Sequence, residues 1–156
     1  MPTLLDKAAP AAWAAAQSVS SVVHEQVAEH GLTRGETELI NVRASQLNAC
    51  AFCVDLHSRQ ARHAGIVQQK LDLLPAWRAS GLFTDRESAV LAVAEASTIL
   101  PLTDDARADL LAAHRVLGTE AFVAAEWVAV AINMFNRISV LSEHPVRPRG
   151  PDDKPV

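Results

Sequence analysis

No stretch of this chain sustains the apolar–polar alternation of a β-strand, whereas helix start and stop signals recur along its whole length. Thr33 is followed three residues later by Glu36, and Thr84 by Glu87. In such a pair the hydroxyl accepts from the backbone N–H three residues on, while the carboxylate reaches back to the threonine N–H. Thr103 supplies another N-cap, Pro10 suits a first turn, and Gly31, Gly65 and Gly118 follow Ala-rich segments as helix stops. These signals predict about seven helices, over 10–29, 33–47, 48–64, 67–74, 84–99, 103–118 and 120–142. Asn48 is the expected N-cap of the third, and Pro75 ends the fourth. The expected fold class is all-α.

A length of 156 residues fits one domain, and a domain of that size buries roughly 68–70% of its unfolded surface, so no staple is needed to hold a core. With 49% hydrophobic and 21% charged residues the balance is globular. The net charge of −4, without a basic run, makes nucleic acid and anionic membrane poor partners. No segment reaches the ~20 apolar residues of a membrane span, and no basic-then-apolar leader opens the chain. The expected location is therefore cytoplasmic, where thiols are kept reduced and a close cysteine pair points to catalysis or metal binding. Residues 144–156 carry four prolines in thirteen positions, which predicts an extended, poorly ordered tail beyond a single domain of 1–143.

Across 121–135 every residue except Glu126 and Asn133 is apolar. A helix apolar on every side is surrounded by protein, either as the central core helix or in part against another subunit. Trp13, Trp77 and Trp127 are expected in the core, with one of them able to wall a thiol pocket.

The chemistry concentrates in Asn48-Ala-Cys50-Ala-Phe-Cys53-Val-Asp-Leu-His57. On a helix the two cysteines, three apart, place their Cβ atoms about 5–6 Å from each other, near disulfide range. Cys50 lies in the first turn, where free N–H groups and the helix dipole favour a thiolate. His57, four beyond Cys53, shares its face and can take its proton. An ordinary cysteine is only ~3% thiolate at neutral pH, whereas one tuned to about 7 is roughly half ionised, and only the thiolate attacks peroxides or disulfides. A neighbouring thiol then resolves the sulfenic acid before it over-oxidises. Zinc would need about four ligands, and beyond Cys50 and Cys53 only His57 and an awkwardly spaced His63 are at hand. Val54 stands where haem attachment requires histidine. An inert buried pair is the plain alternative, and it leaves the His57 spacing unexplained. Glu36 is committed to its capping box, so Glu38, on a face shared with Val42 and Ser45, is the candidate acid to orient His57.

Glu38, eleven residues, Cys50-x-x-Cys53, three residues and His57 together resemble the signature of the AhpD-like alkylhydroperoxidases within the carboxymuconolactone decarboxylase superfamily. The segments Ser45-Gln-Leu-Asn48, Trp77-Arg78, Phe83-Thr-Asp-Arg-Glu87 and Asn133-Met-Phe-Asn136-Arg137 resemble its peroxidase-related branch. The resemblance covers roughly 10–143. It implies an AhpD-like helical bundle that assembles as a homo-oligomer, commonly a trimer or hexamer. It implies that Cys53 attacks an organic hydroperoxide, that His57 and Glu38 relay the proton, and that Cys50, as the more exposed partner, resolves the intermediate and meets an external dithiol, small or protein-borne. No cofactor is implied beyond the redox-active cysteine pair. The dipole argument alone favours Cys50 as the attacker; the position of His57 favours Cys53. One departure is Phe52, where well-studied members carry a histidine of the relay. It keeps open a thiol–disulfide oxidoreductase or redox sensor with little peroxidase activity, and a non-redox protein on the same fold.

Overall fold

A computed structural model describes residues 3–150 together with 153 and 154. Among them are nine α-helices and no strand: α1 (Leu5–Ala8), α2 (Pro10–Glu29), α3 (Arg34–Leu47), α4 (Ala51–His63), α5 (Gln68–Leu73), α6 (Trp77–Ser80), α7 (Asp85–Thr98), α8 (Asp104–Leu117) and α9 (Thr119–Leu141), with a 3₁₀ turn at Leu74–Ala76. The seven expected helices are all present. The two additions, α1 and α6, are single turns of four residues, too short for periodicity to announce them. Pro75 sits inside the 3₁₀ turn, one residue beyond where the fourth helix was expected to stop.

Both capping boxes form. Thr33 Oγ1 accepts from the Glu36 N–H at 3.1 Å while Glu36 Oε2 accepts from the Thr33 N–H at 2.8 Å, and Thr84 and Glu87 repeat the exchange. Thr103 caps α8 through the Ala106 N–H.

Helices α3, α7 and α9 form the centre; α4 packs on α3, α8 on α7 and α2 on α9. Leu39, Ile40 and Val42 of α3 meet Val90, Leu91 and Val93 of α7 in the fully buried core. Ala44, Ala94, Ala125 and Ala129 have no exposure, and their small side chains let the helix axes approach closely. By length and hydropathy α9 could cross a bilayer, but half of that stretch is buried in the bundle, as in a central core helix.

Trp77 is buried as expected, with its Nε1–H donating to Glu95 at 3.0 Å, and Trp13 is half-buried. Trp127 is not a core residue: it is 49% exposed and lies in line with exposed Val123 and Val130 on one face of α9. Neighbours in the chain cover only the opposite face, where Ala121, Ala125, Val128 and Ile132 sit.

The described part of the C-terminal segment runs back over α4. Arg149 pairs with Asp55 at 3.3 Å, Asp153 pairs with Arg62 at 3.2 Å, and the His144 ring lies 5.5 Å from that of Phe52. The expectation of poor order at 151, 152, 155 and 156 lies outside the described residues.

Candidate active site

The turn between α3 and α4 decides where the sulfurs go. Asn48 is not the N-cap of α4. It keeps helical dihedrals as the C-cap of α3, and its side-chain amide donates to Ala44 O at 3.0 Å and to Asn133 Oδ1 at 2.8 Å. The chain breaks one residue later, where Ala49 takes φ +52, a left-handed conformation that costs an L-residue about 1–2 kcal/mol. Cys50 then has extended dihedrals, and it is the cap: its Sγ accepts from the Cys53 N–H at 3.3 Å. Asparagine is favoured at both ends of a helix, so its identity could not say which helix it served.

A polar network holds this turn against α9. Asn133 receives the Asn48 amide, donates to Thr98 Oγ1 at 2.9 Å, and accepts from Arg137 at 3.0 Å. Ser45 donates to Asn136 Oδ1 at 3.0 Å, and the Cys50 N–H donates to Ser45 O. Trp77, Arg78 and Arg43 converge on Glu95, and Arg86 reaches Glu36. The segments that carried the resemblance are thus largely ties that fix the cysteine turn and the helices behind it.

Cys50 and Cys53 are joined by a disulfide with their Cα atoms 5.3 Å apart, so the structure is that of the oxidised pair. Cys50 is 2% exposed and Cys53 4%; the expectation that Cys50 is the more accessible sulfur is not met. As a cap tied to Ser45, Cys50 is turned into the bundle, while Cys53 lines a cavity of about 770 Å³ that also presents Glu38, Phe52 and His57. His57 Nδ1 lies 2.9 Å from Glu38 Oε2, with side chains only 16% and 8% exposed. Asn41 adds a longer bond to the same oxygen at 3.4 Å. With Nδ1 held, Nε2 makes no hydrogen bond to a described residue and is the nitrogen left for a proton in transit. The four residues singled out from the sequence therefore meet at one place, Cys53, His57 and Glu38 on the cavity wall and Cys50 behind it. No cluster of three or more His, Cys, Asp or Glu side chains able to hold a metal occurs among the described residues.

Sequence reasoning missed the rest of the cavity. His144 contributes to its wall, with Nε2 3.5 Å from Asp6 Oδ1. Trp13 is the tryptophan that walls the thiol pocket, edge-on to Phe135 at 5.7 Å. These residues lie on α2, α9 and the chain ends, far from the cysteines in sequence, and only packing gathers them.

The model of the carboxymuconolactone decarboxylase family matches residues 14–96, which contain α3, the cysteine turn and α4. The chain belongs to that family. Among proteins similar in sequence, the uncharacterized protein YdfG of Bacillus subtilis is 34% identical over 115 residues, 72% of this chain and 76% of that protein. The uncharacterized protein YnjA of Escherichia coli is 40% identical over 77 residues, which cover 49% of this chain and only 42% of that protein. A crystal structure from Agrobacterium tumefaciens matches 94% of this chain and 99% of its own, with a TM-score of 0.80 and 34% identity. That protein is of unknown function, and its description suggests the antioxidant defence protein AhpD. The fold is therefore an all-α, AhpD-like member of the family, as the signature residues implied.

Proposed function

We propose that the chain is a thiol-dependent peroxidase that reduces organic hydroperoxides. The observation that carries this reading is a disulfide-capable pair whose Cys53 opens on a cavity beside a carboxylate-held imidazole. In the reduced enzyme His57 takes the Cys53 proton. The thiolate attacks the terminal peroxide oxygen, the O–O bond breaks, and the alkoxide leaves as alcohol with that proton. Cys53 is then a sulfenic acid. Cys50 attacks its sulfur, water departs, and the disulfide closes with the Cα atoms already 5.3 Å apart. An external dithiol, oxidised in turn, restores both thiols.

The two warrants that divided Cys50 and Cys53 are reconciled by role. Attack needs access and a base, which favour Cys53. Resolution needs a thiolate held in place, and the N–H donated to Cys50 Sγ at the helix start favours charge there. Cys53 and not Cys50 lines the cavity, which directs the reductant to Cys53 as well. The expected cytoplasmic location and assembly into a homo-oligomer through the exposed face of α9 belong to the same proposal.

The test is intact mass, free-thiol titration and turnover of cumene hydroperoxide with a dithiol. Wild type should lose two thiols without gaining oxygen, and Cys53→Ser should lose turnover. Full turnover in both single Cys→Ser variants would overturn the proposal. Phe52, which brings a proton-inert ring to the cavity wall, favours a second reading as a thiol–disulfide oxidoreductase or redox sensor. Disulfide reduction without peroxide consumption would select it, whereas full biological function with both cysteines replaced by serine would select a non-redox protein on this fold.

A further inference from the structure

The charges around the cavity do not balance. Its two acids are each matched to an imidazole, Glu38 to His57 at 2.9 Å and Asp6 to His144 at 3.5 Å. Two guanidiniums on the same wall, Arg34 and Arg147, have no acidic partner among the described residues. Elsewhere among the described residues Arg43, Arg59, Arg62, Arg78, Arg86 and Arg149 are in ion pairs, while Arg107, Arg115 and Arg137, outside the cavity, are not. Arg34 comes from the first turn of α3. Arg147 comes from the C-terminal segment, carried over α4 by the Arg149–Asp55 pair.

The remainder of the wall is mostly apolar, with Trp13, Val23, Val27, Leu56, Ile132 and Phe135. Ligand sites of about 300–1,000 Å³ with an apolar lining and a few placed polar groups are the common form, and about 770 Å³ falls within that range. We infer that this cavity takes an apolar chain bearing a carboxylate, with Arg34 and Arg147 on the anion and the chain against the apolar wall. Resting on the peroxidase reading, this names a fatty-acid hydroperoxide as the substrate class. Unmatched positive charge favours an anion over its neutral ester, and exposed guanidiniums give a modest preference, about three- to tenfold for the two together.

The experiment compares linoleic acid hydroperoxide with its methyl ester, both below their aggregation concentrations. In wild type the acid should have the higher kcat/KM by that factor, and in Arg34→Gln/Arg147→Gln the acid-to-ester ratio should fall to near one. Equal kcat/KM values in wild type, or a ratio unmoved in the variant, overturn the inference. A second arm needs no peroxide chemistry: quenching of Trp13 emission by linoleate and by methyl linoleate, with Trp13→Phe as the control. If neither hydroperoxide is consumed yet linoleate binds preferentially through the two arginines, the peroxidase reading falls and the cavity assignment stands. No preference for linoleate in this arm overturns the assignment. A Trp13 signal that follows protein concentration and ignores linoleate would put a second copy of the chain in the cavity, which also overturns it.

Discussion

Cys50 and Cys53 differ less in burial than in what each sulfur faces, a capped helix start for one and a cavity with an imidazole for the other. Glu38 acts on that pair only through His57, so its removal should be felt as lost positioning. For Glu38→Gln we expect hydroperoxide turnover to fall about 10²-fold, with slower alkylation of reduced Cys53 by iodoacetamide at pH 7, read by mass spectrometry. Glu38→Asp should recover part of both; an alkylation rate equal to wild type in Glu38→Gln would show that the carboxylate does not serve the thiol. The polar network beside the site sets a second expectation. Asn133→Ala removes one of the two bonds made by the Asn48 amide and the N–H donated to Thr98 Oγ1, leaving those groups only Ala44 O and Ala94 O, at a cost of about 1–3 kcal/mol in urea unfolding. A change within error of zero would mean that water replaces the side chain.

Helices α3 and α7 are joined by Glu36 and Arg86, with Nε 2.7 Å from Oε1. Burial alone would raise the Glu36 pKa; Arg86 and the Thr33 N–H outweigh it and hold the carboxyl below its ordinary range. A depressed folded pKa means stability that is present above the unfolded value and lost as pH falls through the folded one. Glu36→Gln should therefore destabilise by about 1–2 kcal/mol at pH 7, and the gap from wild type should close on acidification below the normal carboxylate range. A pH-independent gap would assign the loss to the cap geometry alone. At this scale the chain was well legible. Capping boxes at Thr33 and Thr84 use neighbours three residues apart, so sequence displays the whole interaction. The Asn48–Cys50 turn was not legible, because a left-handed alanine leaves no compositional mark and the network holding it comes from α9.

For the molecule as a whole, the open question raised by α9 is what covers Val123, Trp127 and Val130. An apolar stripe on an otherwise core helix fits a face between copies. Trp127→Glu should shift the mass in light scattering toward the monomer while helicity is retained; a wild type already monomeric at high concentration would remove the premise. The family signature implied one site for Glu38, Cys50, Cys53 and His57, and helix spacing alone brought Cys53 near His57, since one helical turn relates them. By itself the amino-acid order determined the helices, their caps and that local constellation, all of which depend on residues three or four apart. Tertiary structure decided which sulfur faces the cavity, that Trp127 stays outside, and that Trp13, Arg34, His144 and Arg147 share a wall with Cys53. Those outcomes follow from which helix faces are buried against which neighbours, a property of packing among distant segments that no local pattern encodes.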